Sequence, residues 1–303
     1  MTLDQVIDEA SARCSVDRQS QDNITLLRRW VNMTQQDMAS RYEWPWLADS
    51  EAFATQTDST TGTIAATAAS KTITGTSTAF ASTDVGRYIN FSSSNDWYKI
   101  DAVASTTSLT LATAYAPATE SGMTYTIRTL VYPLSANVDR VYDVRQYRTA
   151  AKLTQVSTRL FDFLLPNSVQ TGNPTHYNIF YYRNPTSITG QQWALSFNPS
   201  PSAAMLIEVR FLKRLADLTL GTDISAVPQK WHHVLVDGAT YLCYLWQSSD
   251  KTGGMRQIYE FGIQKMKEEA ESSLDYHPVL KNFDVQGAGS RFLAFPGEFE
   301  QPY

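Results

Sequence analysis

The chain has 303 residues, enough for two domains each with its own core, and 43% hydrophobic against 18% charged residues fits an ordered protein in water. A net charge of −5 with no dense Lys/Arg tract gives no electrostatic reason for tight or sequence-specific nucleic-acid binding. No apolar run approaches the ~20 residues that a membrane span requires.

The first stretch, MTLDQVIDEASARC, lacks a cationic region ahead of an apolar core and so does not read as a signal peptide. Leu3, Val6, Ile7 and Ala10 predict a short helix over 3–13, with Thr2 and Gln5 as a loose capping box. A polar link, Ser15 to Asp22, leads to the stretch around which the chain is organised, Asn23 to Leu47. Ile24, Leu27, Val31, Met38 and Tyr42 form one apolar row, and Leu26, Trp30 and Met33 a second, which predicts a helix wedged between neighbours. Asn23 is the expected N-cap and Pro45 the stop, with Trp44, Trp46 and Leu47 as an aromatic plug beyond it.

Composition changes after Ala48. Residues 55–126 are dense in Thr, Ser and Ala, yet Thr63–Thr67 and Lys71–Gly75 alternate, and Arg87–Phe91 and Trp97–Val103 flank a polar turn. With Leu109, Leu111, Tyr125 and Ile127, this predicts a small all-β module of roughly five to seven strands, in a barrel or sandwich. Strands follow at Val138–Val144, Thr175–Tyr182, Trp193–Phe197 and Ala204–Leu212, with Ser157–Phe163 open between helical turn and strand. Pro228 opens a helix over Val227–Trp246, with Trp231, Val234, Leu235, Ala239, Leu242 and Trp246 at helical spacing. Gly253–Gly254 should break it before a last helix, Met255–Leu274, with Ile258, Phe261, Met266 and Ala270 inward and His277–Pro278 as its stop.

The fold class expected is therefore α+β: a helical bundle from N- and C-terminal helices, a β-rich middle domain and an inserted all-β module. The divisions are 1–54, 55–128, 129–225, 226–280, and an extended tail at 281–303.

Little in the chain reads as chemistry. The histidines are His176, His232, His233 and His277, with no i, i+4 pair to share a metal. Cys14 and Cys243 match no metal spacing and fit reduced thiols or one bridge. There is no G-x-S-x-G, H-E-x-x-H or phosphate-cradling glycine loop. Glu268, Glu269 and Glu271 fit a solvated face or a contact for a basic partner. No catalytic residue, cofactor or metal is expected, and the chain does not read as an enzyme. One binding alternative is an adhesin or carbohydrate-binding protein with Trp97 and Tyr98 of the β module as a sugar platform.

The order of parts resembles the head–tail adaptor (connector, head-completion) proteins of tailed bacteriophages. The features are the early helix ending in Trp44-Pro45-Trp46, the segment Pro133 to Tyr142, the turn Phe197-Asn198-Pro199-Ser200-Pro201, and the helix start Val227-Pro228-Gln229-Lys230-Trp231. Gly75 to Phe91 is similar to a β module of phage structural proteins, though the insertion departs from the minimal adaptor.

The resemblance implies a homo-oligomeric ring, commonly dodecameric, that docks beneath the portal protein and meets tail or nozzle proteins, its lumen passing DNA. It further implies assembly in the host bacterial cytoplasm and a place at the head–tail vertex of the virion. Residues 281–303 carry too many Gly and Pro for a helix and too many aromatics for a solvated tail. Such a segment orders on a surface. Two readings stand: it folds back on its own subunit, or Arg291, Phe292, Phe295, Phe299 and Tyr303 dock on the portal or a neighbouring subunit.

Overall fold

A computed structural model describes residues 1–147, 152–164, 170–183 and 191–272. Helix α1 (Leu3–Cys14) starts on a complete capping box: Thr2 Oγ1 accepts from the Gln5 amide at 3.4 Å, and Gln5 Oε1 accepts from the Thr2 amide at 2.9 Å. Leu3, Val6, Ile7 and Ala10 are buried, as their spacing predicts. Helix α2 (Gln21–Ser40) begins earlier than expected, with Ser20 at the N-cap. Asn23 lies inside it, and its side-chain amide instead donates to Asp17 O at 2.8 Å. Leu27, Trp30, Val31 and Met38 are buried, whereas Met33 is exposed.

After a 3₁₀ turn at Pro45–Leu47 the chain enters strand β1 (Ala48–Ala54). Then come β2 (Thr63–Ala66), β3 (Thr72–Thr76), β4 (Tyr88–Phe91), β5 (Trp97–Ser105), β6 (Ser108–Leu111), β7 (Glu120–Met123) and β8 (Tyr125–Arg128). Strands β2–β8 form one sheet in the order β7-β2-β3-β6-β5-β4-β8. Its two edges, β7 and β8, are split in sequence by Thr124 alone, so one bent stretch pairs with β2 at one end and β4 at the other. The sheet thereby closes into a small barrel, with register shifts in β5 helping it turn the corner. Phe91, Tyr98 and Tyr115 pack in its interior at centroid distances of 4.9–5.9 Å, together with Ile73, Ile89 and Leu111.

Beyond the barrel lie β9 (Tyr132–Pro133), β10 (Val138–Gln146), β11 (Thr154–Gln155), α3 (Thr158–Leu164), β12 (His176–Arg183), β13 (Gln191–Asn198) and β14 (Leu206–Lys213). The stretch left open in the sequence is thus helical at α3. Two sheets form, β1-β14-β10 and β11-β12-β13-β9, and one core that includes Val144, Tyr177, Leu195, Phe197, Val209 and Phe211 joins them. Strand β14 is flanked by β1, which precedes the barrel in sequence, and β10, which follows it.

Helices α4 (His232–Trp246) and α5 (Thr252–Ser272) complete the bundle, and α4 packs against α1, α2 and α5. The break between them falls at 247–251, where Ser248 adopts a φ of 52°; Gly253 and Gly254 lie inside the first turn of α5. The inward face of α5 is Tyr259, Gly262, Ile263 and Met266, not the face predicted through Ile258 and Phe261. Gly262 sets that register, because a Cβ there would stand 2.8 Å from Val234 Cγ2. Ile258 and Phe261 therefore face outward, Phe261 with 63% of its surface exposed, and Trp246 at the end of α4 is exposed as well.

Candidate functional site

The residues expected to dock, Arg291, Phe292, Phe295, Phe299 and Tyr303, lie outside the described residues. Of the four histidines His277 lies outside the described residues, and the other three have separate partners. His232 is buried, its Nε2 2.8 Å from Val227 O and its Nδ1 2.6 Å from the Met1 ammonium. Burial, aided by that ammonium, pushes its pKa down. His233 is exposed at Lys230 O, and His176 contacts Thr175 Oγ1. Among the described residues no group of His, Cys, Asp and Glu could hold a metal ion. Cys14 and Cys243 are free and buried; the hydrogen bond with Cys14 and burial push the Cys243 thiol up.

Tyr98 lies in the barrel core, and Trp97 is half-buried with the Arg128 guanidinium 5.2 Å from its ring. The two do not form a paired platform for a sugar. Glu268, Glu269 and Glu271 are exposed, and Glu269 forms an ion pair with Lys230.

Two built features lie on the bundle. The first follows from the stop in α2. Trp44 is buried and its indole Nε1 donates to Met38 O at 2.6 Å, joining the longer 3.3 Å bond that the Arg41 amide gives the same carbonyl at the helix end. Pro45 sits in the first position of the 3₁₀ turn, which its missing amide tolerates. Trp46 stacks on Trp44 at 6.1 Å between centroids, but it is only half-buried. Instead of a plug, Trp44, Pro45 and Trp46 form one wall of a pocket of about 170 Å³, closed by Pro228, Trp231 and Met266. The indole Nε1 of Trp46 is buried and has no hydrogen-bond partner among the described residues.

The second feature is a groove of about 330 Å³ where α2, α4 and α5 diverge, with Met33, Tyr241, Leu242 and Arg256 among its walls. Across it Tyr259 donates to Asp37 Oδ2 at 2.8 Å, and Arg41 bridges Asp37 and Glu260. Burial first, then Asp37, pushes the Tyr259 phenol far up.

A third set of contacts fixes the barrel at its root. Arg87, 8% exposed, donates to Asp84 Oδ1 at 2.7 Å, to Thr57 O at 2.7 Å, to Ile127 O at 3.2 Å and to Thr129 Oγ1 at 3.1 Å. Arg128 grips Asp58 with Nε and Nη2, and Lys99 Nζ reaches Tyr182 OH on β12 at 2.8 Å. Both chain segments that lead into and out of the barrel are thus held by buried charge-assisted bonds. No sequence motif marks this set, although D-V-G-R at 84–87 lies within the segment similar to phage β modules.

The described residues thus form a helical bundle, a two-sheet sandwich and a barrel clamped at its root, with apolar side chains exposed on α4 and α5. The chain belongs to the SU10 adaptor protein family, whose profile matches residues 1–279. That family places it among the structural adaptor proteins of bacteriophages, as components of the virion. A comparison with individually characterised proteins finds no match. No described helix is long and apolar enough to cross a membrane.

Proposed function

We propose that this adaptor forms a closed ring, in the manner of dodecameric connectors, that joins the portal protein to tail or nozzle proteins at the head–tail vertex. The observation that carries the reading is the family match over 1–279. The exposed apolar residues of α4 and α5, Leu245, Trp246, Ile258 and Phe261, fit it, because a ring repeats one heterologous contact until it closes. The role is scaffolding without catalysis, and the ring lumen passes DNA without reading its sequence.

In this proposal 1–54 and 226–280 supply the ring body, 55–128 is a barrel inserted into a middle domain at 129–225, and 281–303 is a docking tail. The flanking of β14 by β1 and β10 supports the insertion, since deleting the barrel leaves that sheet whole. Arg291, Phe292, Phe295, Phe299 and Tyr303 dock on the portal or a neighbouring subunit. Assembly takes place in the host cytoplasm. Cryo-EM of purified virions, with a portal pull-down by the chain lacking 285–303, tests the reading. Density at the vertex and loss of portal binding are expected; a truncated chain that binds portal with full affinity overturns the docking role.

A further inference from the structure

We propose that Cys14 and Cys243 form an oxidation site at which a peroxide closes a disulfide between α1 and α4 of one chain, stapling the helical bundle.

Position is the first argument. Cys14 is the last residue of α1, and contacts from the stretch 240–247 hold that helix end. Cys14 Sγ donates to Thr240 O at 3.8 Å, Tyr244 OH donates to Arg13 O at 2.7 Å, and Gln247 Nε2 donates to Cys14 O at 3.1 Å. Cys243 stands among these residues, next to Tyr244, and a hydrogen bond joins its thiol to that of Cys14. Both side chains belong to the bundle core. Helix ends already pinned together need little backbone movement to bring two touching sulfurs to bonding distance.

Chemistry is the second. The hydrogen bond from Cys243 pushes the Cys14 thiol down, and the Arg13 charge adds to it against burial. The Cys243 thiol is pushed up by Cys14 and by burial. That asymmetry makes Cys14 the nucleophile and Cys243 the resolving thiol. Cys14 is 4% exposed where α1 gives way to Ser15, whose φ is 55°, and Cys243 is 0% exposed. Such a site admits a small peroxide more readily than a bulky disulfide reagent. The Cys14 sulfur attacks one peroxide oxygen and breaks the O–O bond, forming a sulfenic acid; the departing hydroxide and the Cys14 proton leave as water. The Cys243 sulfur then attacks the Cys14 sulfur and displaces its hydroxyl, which leaves with the Cys243 proton as a second water. Each sulfur gives up one electron, and the peroxide takes up both. A reducing compartment keeps the pair as thiols, and an oxidising one closes it. None of this depends on how copies of the chain assemble.

The test treats the full chain with hydrogen peroxide, blocks the remaining thiols with iodoacetamide and maps tryptic peptides without reduction. A linked pair, 14–18 with 231–251, is expected in a product that runs as a monomer on a non-reducing gel. The melting temperature should rise by roughly 5–15 °C and return on reduction, because the bridge encloses residues 15–242. Cys243→Ser should leave a sulfenic acid on Cys14 that a dimedone probe traps, and Cys14→Ser should slow oxidation of Cys243 at least about tenfold. Should a serine variant fail to fold, the wild-type peptide map decides alone. No linked peptide in the wild type, or one formed only between two chains, overturns the proposal. So does a linked chain that melts where the reduced one does, or a Cys243 that oxidises as fast without Cys14 as with it.

Discussion

Replacing Asp84 by Ala tests whether the barrel is clamped at its root. The Arg87–Asp84 pair is 8% and 6% exposed, so the substitution leaves a guanidinium in a site with little water. Its remaining partners are two carbonyls and a hydroxyl, which carry no negative charge. Breaking a buried pair by removing one partner costs about 3–5 kcal/mol. Asp84 also accepts from the Ala81 amide at 3.0 Å, which adds about 1 kcal/mol. The double change Asp84→Asn with Arg87→Met should cost less than Asp84→Ala alone, because no unpaired charge remains and Asn can still accept from Ala81. Urea titration measures the total, and native-state hydrogen exchange at 55–59 and 127–131 reports whether the root opens first. If Asp84→Ala is within 1 kcal/mol of the wild type and those amides exchange no faster, Arg87 does not hold the barrel by its charge.

Trp30→Ala in the bundle core, where Trp30 is 8% exposed, should cost about 3–5 kcal/mol in a denaturant melt. Gly238→Ala would place a Cβ 2.3 Å from Thr34 Cγ2 and 2.8 Å from Tyr259 Cε2, and should destabilise by about 1–3 kcal/mol despite the better helix propensity of alanine. His232 is held neutral by burial, so the unfolded chain binds its proton more readily than the folded one. Its contribution is therefore full above pH ~6.5 and lost as pH falls through the lowered folded value, a slope that His232→Gln should flatten in melts from pH 8 to 5.

The parts that sequence made legible are those where apolar spacing and burial coincide. In α1 four apolar positions and a capping pair leave no alternative, and in the barrel Ile64, Ile73, Ile89, Phe91, Leu109 and Leu111 alternate with half-buried or exposed, mostly polar residues. Strand β1 was hidden because ADSEAFA is an edge strand with no fully buried residue; Phe53 alone brings a large apolar side chain to the sandwich core. The face of α5 was misread because its closest packing is made by Gly262, which has no side chain to mark it, while Ile258 and Phe261 mark the surface.

The same reasoning explains why the aromatic pocket could not be read from Trp44-Pro45-Trp46 alone. Two tryptophans and a proline after a helix suggest burial by their own hydrophobicity, and for Trp44 that is right. Whether Trp46 is buried as well depends on Pro228, Trp231 and Met266, which come from two other stretches of chain and stop short of closing over it. Two of the stretches that carry the family resemblance, the Trp-Pro-Trp end and the Val-Pro start, both line the pocket. Features that look like two separate local signatures in sequence are one site in space, where the Trp46 ring is only half-buried.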